Sequence, residues 1–221
     1  KPVAFPKAVS PTKPIVGGSA PGMRHVAGGA IMMNITHPRR ECGCYPAPGT
    51  RKEKEVEYLW GSPFDQPLTH HYIVAVKPFF MDETEVSNGE YKRFLDATRY
   101  TPKHPENFLK HWPNGLMPES IADLPVVYVD LEDARAYAAW AGKRLPTEAE
   151  WHWAAQGLDG RTWPWGNDFD TARCNLSGSL MPVRSLPEGR SPFGMYHMAG
   201  NVWEWTESER DDGHTRFSIL R

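Results

Sequence analysis

Between Ser87 and Glu150 the chain writes one helix-start signal three times: Ser87 with Glu90, Asp130 with Asp133, and Thr147 with Glu150. In each, a side-chain oxygen and an acid three residues later satisfy the first free amides of a helix. The helices so opened are short. "SNGEYKRFLDAT" puts Tyr91, Phe94 and Leu95 on one stripe; "DLEDARAYAAWAG" turns Leu131, Ala134, Tyr137, Ala138 and Trp140 inward and stops at Gly142; "TEAEWHWAAQG" ends at Gly157. Only "KRLP" separates the second from the third, so the two are neighbours. After Gly157 no helical period returns, and Trp-rich turns and short strands follow. Short helices followed by small strands and long loops predict an α+β domain rather than a parallel βαβ sheet.

Pro and Gly, 21 and 19 of the 221 residues, are spread along the chain and favour a loop-rich fold. The exception is the opening "KPVAFPKAVSPTKPIVGGSAPG", with five prolines before any periodicity. Residues 1–21 read as a Pro-rich arm or linker, and residues 22–221 as one domain. "GMRHVAGGAIMM" predicts a strand pair around Gly28-Gly29, and "HHYIVAVKPFFMD" a strand run with Tyr72, Phe79 and Phe80 in the core. Residues 34–66 between them are polar and irregular and read as a surface insertion. His70 and His71, adjacent on a strand, point to opposite faces and do not chelate one ion together.

With 25 basic and 27 acidic residues the formal charge is −2, so no nucleic-acid or anionic-membrane partner is implied. No apolar run reaches the length of a membrane span, and no signal-peptide pattern opens the chain. The chain starts at Lys1 without Met, so an upstream targeting segment is left open; a secreted, periplasmic or surface-anchored location is slightly favoured over the cytoplasm. "ECGCY" holds Cys42 and Cys44 too close for an unstrained disulfide. Without a second pair it is no zinc motif either. Two free loop thiols, or one bridged to Cys174, are the readings left.

Four ordered stretches, "FFMDETEVSNGEYKRFL", "LPVVYVDLEDARAYAAWAGKRLPTEAEWHWAAQG", "WPWGN" and "SPFGMYHMAGNVWEWT", resemble the formylglycine-generating enzyme family, also called sulfatase-modifying factors. The resemblance covers residues 22–221 and implies a C-type-lectin-like α+β fold with little regular structure, stabilised by calcium. It also implies oxidation of a cysteine in a sulfatase Cys-X-Pro-X-Arg segment to formylglycine, using O2 and a copper ion held by two cysteines. Copper(I) prefers thiolates. In the family those cysteines follow a Gly-Gly-Ser signature that would begin where this chain reaches "SILR". Cys42, Cys44 and Cys174 all fall elsewhere, so the domain is expected to be truncated at its C-terminus and no catalytic residue is assigned in this chain.

The resemblance also implies that the "GNVWEW" loop holds calcium. Glu204 would be the anionic ligand and the backbone oxygens of Gly200 and Val202 its companions, with Trp203 and Trp205 packed around the site. His197 stands where the family commonly has Asn. A second calcium site would use Asn175 and the carbonyl of Leu176, but no acid follows in "NLSGSLMPVRS". Glu85, just before the first helix, is a candidate site acid bonded to loop amides. "RLPTEAEW" reads as architecture, with Arg144 paired to an acid and Trp151 and Trp153 packed.

Two function classes follow. The full-length protein is either a formylglycine-generating oxidase acting on an unfolded sulfatase peptide, or a non-catalytic surface binding or scaffold module, like gliding-motility lipoproteins, with a protein or glycan partner. A sulfoxide-synthase-like iron enzyme would need a separate helical domain with a histidine cluster, which this chain does not contain.

Overall fold

Strands β1 (Met23–Val26) and β4 (Phe79–Asp82) form one antiparallel ladder, and β2 (Gly29–His37) and β3 (Leu68–Val76) form another, in the computed structural model. The structure describes residues 22–37, 68–211 and 216–221; the arm at 1–21 and most of the 34–66 insertion, with Cys42 and Cys44, lie outside the described residues. The two ladders share one register, with Val26 opposite Phe79 and Gly29 opposite Val76. They are a single ribbon interrupted at Ala27-Gly28 and Lys77-Pro78. Pro78 supplies the reason: it has no N–H to give the ladder. The carbonyl of Ala27 is satisfied instead by the indole Nε1–H of Trp153 at 2.7 Å. The strands flanking Gly28 therefore pair with β3 and β4 rather than with each other, and the run "HHYIVAVKPFFMD" is split in two.

The three helices sit where their caps place them. Helices α1 (Asn88–Thr98), α2 (Leu131–Trp140) and α3 (Glu148–Gln156) each carry a complete capping box, a cap being worth about 1 kcal/mol. Trp153, Ala154 and Ala155 of α3 are buried with Val26, Ile31, Met33 and Val76 of the ribbon and with Met195 and Met198. A Cβ added at Gly29 would lie 2.3 Å from Trp153 Cζ2, so that glycine is what admits the indole. Tyr72 and Phe79 pack against this core, whereas Phe80 is 39% exposed, on the other side of the pleat from its neighbour.

A second core joins Tyr91 and Phe94 of α1, Tyr137 of α2, Leu109 and Trp112. Tyr91 and Tyr137 stack with centroids 5.6 Å apart, and Phe94 meets Tyr137 edge-on. Trp140, expected inward, is partly exposed at the end of α2. Asn88 ties this core to the loop before α2. Fully buried, it donates to the carbonyls of Ile121, Leu124 and Pro125 and accepts from Trp112 Nε1 at 2.8 Å and His111 Nε2 at 2.9 Å. Because the amide nitrogen is spent on three carbonyls, Oδ1 is the acceptor and His111 carries its proton on Nε2.

The apolar run at the end of the chain forms β6 (Arg216–Leu220) and finds its partner in β5 (Trp205–Asp211), to which it runs antiparallel. Their register shifts between Trp205 and Glu209, and Thr206 Oγ1 donates to the Ile219 carbonyl at 2.8 Å within that irregularity. Strand β5 also braces the two later helices: Ser208 Oγ accepts from the Glu148 amide at the start of α3, and Glu207 binds the guanidinium of Arg135 on α2 at 2.8–3.2 Å.

Candidate functional site

A cavity of about 930 Å³ opens between β4 and the residues after it, helix α2, the 142–146 connection and the loop from Met195 to Trp205. Tyr91 and Tyr137 stand at its base, Lys143 and Asp82 form an ion pair of 2.7 Å in its wall, and Trp203, 78% exposed, stands at its rim. Arg144 and Glu150, also lining residues, are joined by two bonds of 2.6 and 2.7 Å. That locks Glu150 in its capping box and leaves it no chemistry of its own.

The loop that carries the glutamate of "GNVWEW" is bent by three residues in the left-handed region, His197 (φ 50), Gly200 (φ 88) and Asn201 (φ 70). Gly200 is required twice, by its φ and because a Cβ there would lie 2.4 Å from the carbonyl of Asn175. Asn tolerates this conformation better than most residues. Asn201 is the clamp of the site. Its amide nitrogen donates to Glu85 Oε1 at 2.7 Å, its Oδ1 accepts from Asn175 Nδ2 and the Met181 amide, and its backbone N–H reaches the Asn175 carbonyl.

Glu85 and Glu204 both enter the cavity. The second oxygen of Glu85 is buried with no hydrogen-bond partner. Burial raises its carboxyl above the usual range, against the pull of His197 and the Asn201 bond. Glu204 is pushed up to about 8, first by burial and then by the charge of Glu85, while the Trp151 indole donates to its Oε2 at 3.1 Å and lowers it in part. Its backbone is pinned to Arg221 by two bonds, 2.5 and 2.9 Å. At neutral pH such a pair holds a proton or needs a cation.

The sequence-derived candidates separate here. Glu85, Glu204 and Val202 line the cavity, and Gly200 is in the same loop, its carbonyl accepting from the Val202 amide at 3.1 Å. His197 is buried, with Nε2 3.2 Å from the Pro182 carbonyl and 3.3 Å from Ser185 Oγ. A carbonyl only accepts, so Nε2 carries the proton. Asn175 spends its amide on Ser177, Ser179 and Asn201, and Leu176 beside it is exposed. Trp205 packs inward and donates to the Val129 carbonyl, whereas Trp203 stays largely exposed at the cavity rim. Cys174 is buried outside the cavity lining, its thiol 3.8 Å from the Asp170 carbonyl. His71 is exposed and bonded to Asn34. Asn201 is not among the sequence-derived candidates; its signal is an asparagine after glycine in a loop bearing an acid. Among the described residues no three His, Cys, Asp or Glu side chains gather as a metal cluster.

Residues 10–220 match the family model described as "Sulfatase-modifying factor enzyme 1-like domain". The chain is 30% identical over 251 aligned positions to "Inactive C-alpha-formylglycine-generating enzyme 2" of Mus musculus, covering 91% of this chain and 73% of that protein. It is 36% identical over 182 positions to "Formylglycine-generating enzyme" of Thermomonospora curvata, covering 60% of each chain. The crystal structure of CarF superposes with a TM-score of 0.56 at 19% identity, covering 90% of this chain and 84% of that one, a likeness of fold.

Proposed function

The chain belongs to the sulfatase-modifying factor enzyme 1-like family, and we propose that its cavity receives an extended, cysteine-bearing segment of a sulfatase, which the full-length protein oxidises to formylglycine. The observation that carries this reading is the cavity itself: largely apolar walls, an exposed Trp203 at the rim, and lining charges that are paired off in its wall (Lys143 with Asp82, Arg144 with Glu150) or gathered at the clamped loop (Glu85 and Glu204). The oxidation draws on O2 and a copper ion held by paired thiolates. Among the described residues the only cysteine is Cys174, buried away from the cavity, and one thiol does not fit that ion. No catalytic step is therefore assigned to this chain. Its share is to bind and orient the peptide.

Calcium belongs to the same proposal. Glu204, joined by Glu85 with its unbonded buried oxygen and by the carbonyls of Gly200 and Val202, offers the hard oxygens that the ion prefers. His197, with Nε2 engaged elsewhere, contributes none from that nitrogen, and the committed amide of Asn175 argues against an ion there. Millimolar calcium should raise the melting temperature relative to EGTA, and Glu204→Gln should abolish that rise. An equal rise in both proteins would remove the ion from this loop.

The peptide reading is tested by titrating a Cys-X-Pro-X-Arg peptide against the full-length protein while following tryptophan fluorescence. Trp203→Ala should weaken binding about fivefold, or ~1 kcal/mol; no binding by a folded protein refutes the reading. The alternative, a non-catalytic binding module, is favoured by one observation: the relative that covers 91% of this chain is an inactive one. Mass spectrometry of the bound peptide separates the two, since formylglycine forms only under the first.

A further inference from the structure

We propose that Arg24, Arg184 and Arg190, gathered around Tyr196 and Glu83, bind a tetrahedral oxyanion, a phosphate or sulfate group. Three separate stretches build the patch: Arg24 on β1, Glu83 directly after β4, and the loop that runs from Arg184 to Tyr196. Backbone bonds bolt them together, Glu83 N–H to the Gly22 carbonyl at 3.0 Å and Tyr196 N–H to the Glu83 carbonyl at 2.7 Å. Glu83 then grips two guanidiniums at once, Arg24 Nε at 2.7 Å through one oxygen and Arg184 at 2.6 Å through the other. Its carboxyl is held below the usual range, first by the Arg184 bond. Glu83 is itself mostly covered, whereas both arginine side chains stay more than half exposed.

The third cation is the informative one. Arg190 has no ion pair among the described residues; its Nε donates to the Pro187 carbonyl, and its guanidinium carbon lies 5.4 Å from the Tyr196 ring centroid. Arg184 lies 5.9 Å from the same centroid. One aromatic ring and one carboxylate thus orient three guanidiniums, leaving two positive charges without an ion-pair partner of their own among the described residues, in a chain whose formal charge is −2. A lone solvated face would not need this scaffolding. Planar forks held on a ring and a carboxylate are preorganised for oxyanion oxygens, and a charge of up to −2 matches the excess. Glu83 and Tyr196 also line the cavity, so the anion would sit at its mouth.

Isothermal titration calorimetry at low ionic strength provides the test, with inorganic phosphate and inorganic sulfate as probes in one arm and a phosphoserine peptide against its serine counterpart in the other. Saturable binding is expected, weakened at least tenfold in Arg184→Gln/Arg190→Gln and unchanged in Arg93→Gln, which removes a single arginine charge from the exposed face of α1 and so matches the single Arg190→Gln variant in charge. Arg190→Gln alone leaves the Glu83 pairs in place, guards against a folding defect, and should still weaken binding severalfold. A phosphopeptide bound more tightly than free phosphate identifies a modified partner segment; equal affinity identifies the free ion. No saturable heat with wild type, or equal affinity in wild type and the double variant, overturns the proposal.

Discussion

Replacing Glu204 by Gln isolates the central electrostatic feature of the cavity. The substitution keeps shape and an oxygen for the Trp151 indole, but removes the ability to ionise. A carboxyl raised from 4.5 to about 8 carries a differential cost of ~5 kcal/mol at full ionisation, at about 1.36 kcal/mol per unit. Water entry into an open cavity lowers the realised figure to about 2–4 kcal/mol. The sign follows from proton counts. Between the unfolded value of 4.5 and the folded value near 8, the native state holds a proton that the unfolded state has lost, so stability falls as pH rises through this window. At pH 5 the wild type and the Gln variant should therefore unfold within about 1 kcal/mol of each other. At pH 8.5 in EGTA the variant should be the more stable, by about 2–4 kcal/mol. Urea unfolding at the two pH values, with EGTA throughout, measures both. A difference that does not change with pH, or a variant less stable at pH 8.5, would refute the account of Glu204 as a buried, proton-holding acid.

Asn88→Ala deletes the acceptor of Trp112 and His111 and the donor to three carbonyls, and chemical denaturation should show a loss of about 3–5 kcal/mol. Gly29→Ala drives a methyl against the Trp153 ring; a loss of about 1–3 kcal/mol is expected, with indole fluorescence shifted to the red if the ring is expelled. Burial pushes His152 down to about 4 from 6.5, so the unfolded state takes up a proton first and stability declines as pH falls from 6.5 toward 4, by up to ~3 kcal/mol. His152→Gln should flatten that decline in a series of denaturation curves; an unchanged slope would place the acid sensitivity elsewhere.

The helix starts were legible because a capping box is local: an N-cap oxygen and an acid three residues on solve the problem of free amides without help from the rest of the chain. All three boxes at Ser87, Asp130 and Thr147 are present as read. The strand partners were not legible. Gly28-Gly29 looked like a turn, but the interruption there serves Pro78 on the opposite strand and the indole of Trp153, more than a hundred residues away. Trp203 and Trp205 illustrate the same limit. Two identical side chains flank Glu204, and only packing decided that Trp205 donates to Val129 while Trp203 stands in solvent.

The sequence by itself determined the α+β class, the three short helices, the family and the presence of an acid at the end of a Gly-Asn loop. Each rests on nearest-neighbour chemistry or on ordered motifs. The tertiary structure alone decided that Glu85, 119 positions earlier, shares that acid's cavity, that Asn201 clamps it, and that arginines from two segments meet at Glu83 and Tyr196. The physical reason is that burial and charge proximity are properties of space: a carboxyl's affinity for its proton depends on what the fold brings within a few ångströms and on how much water it leaves there.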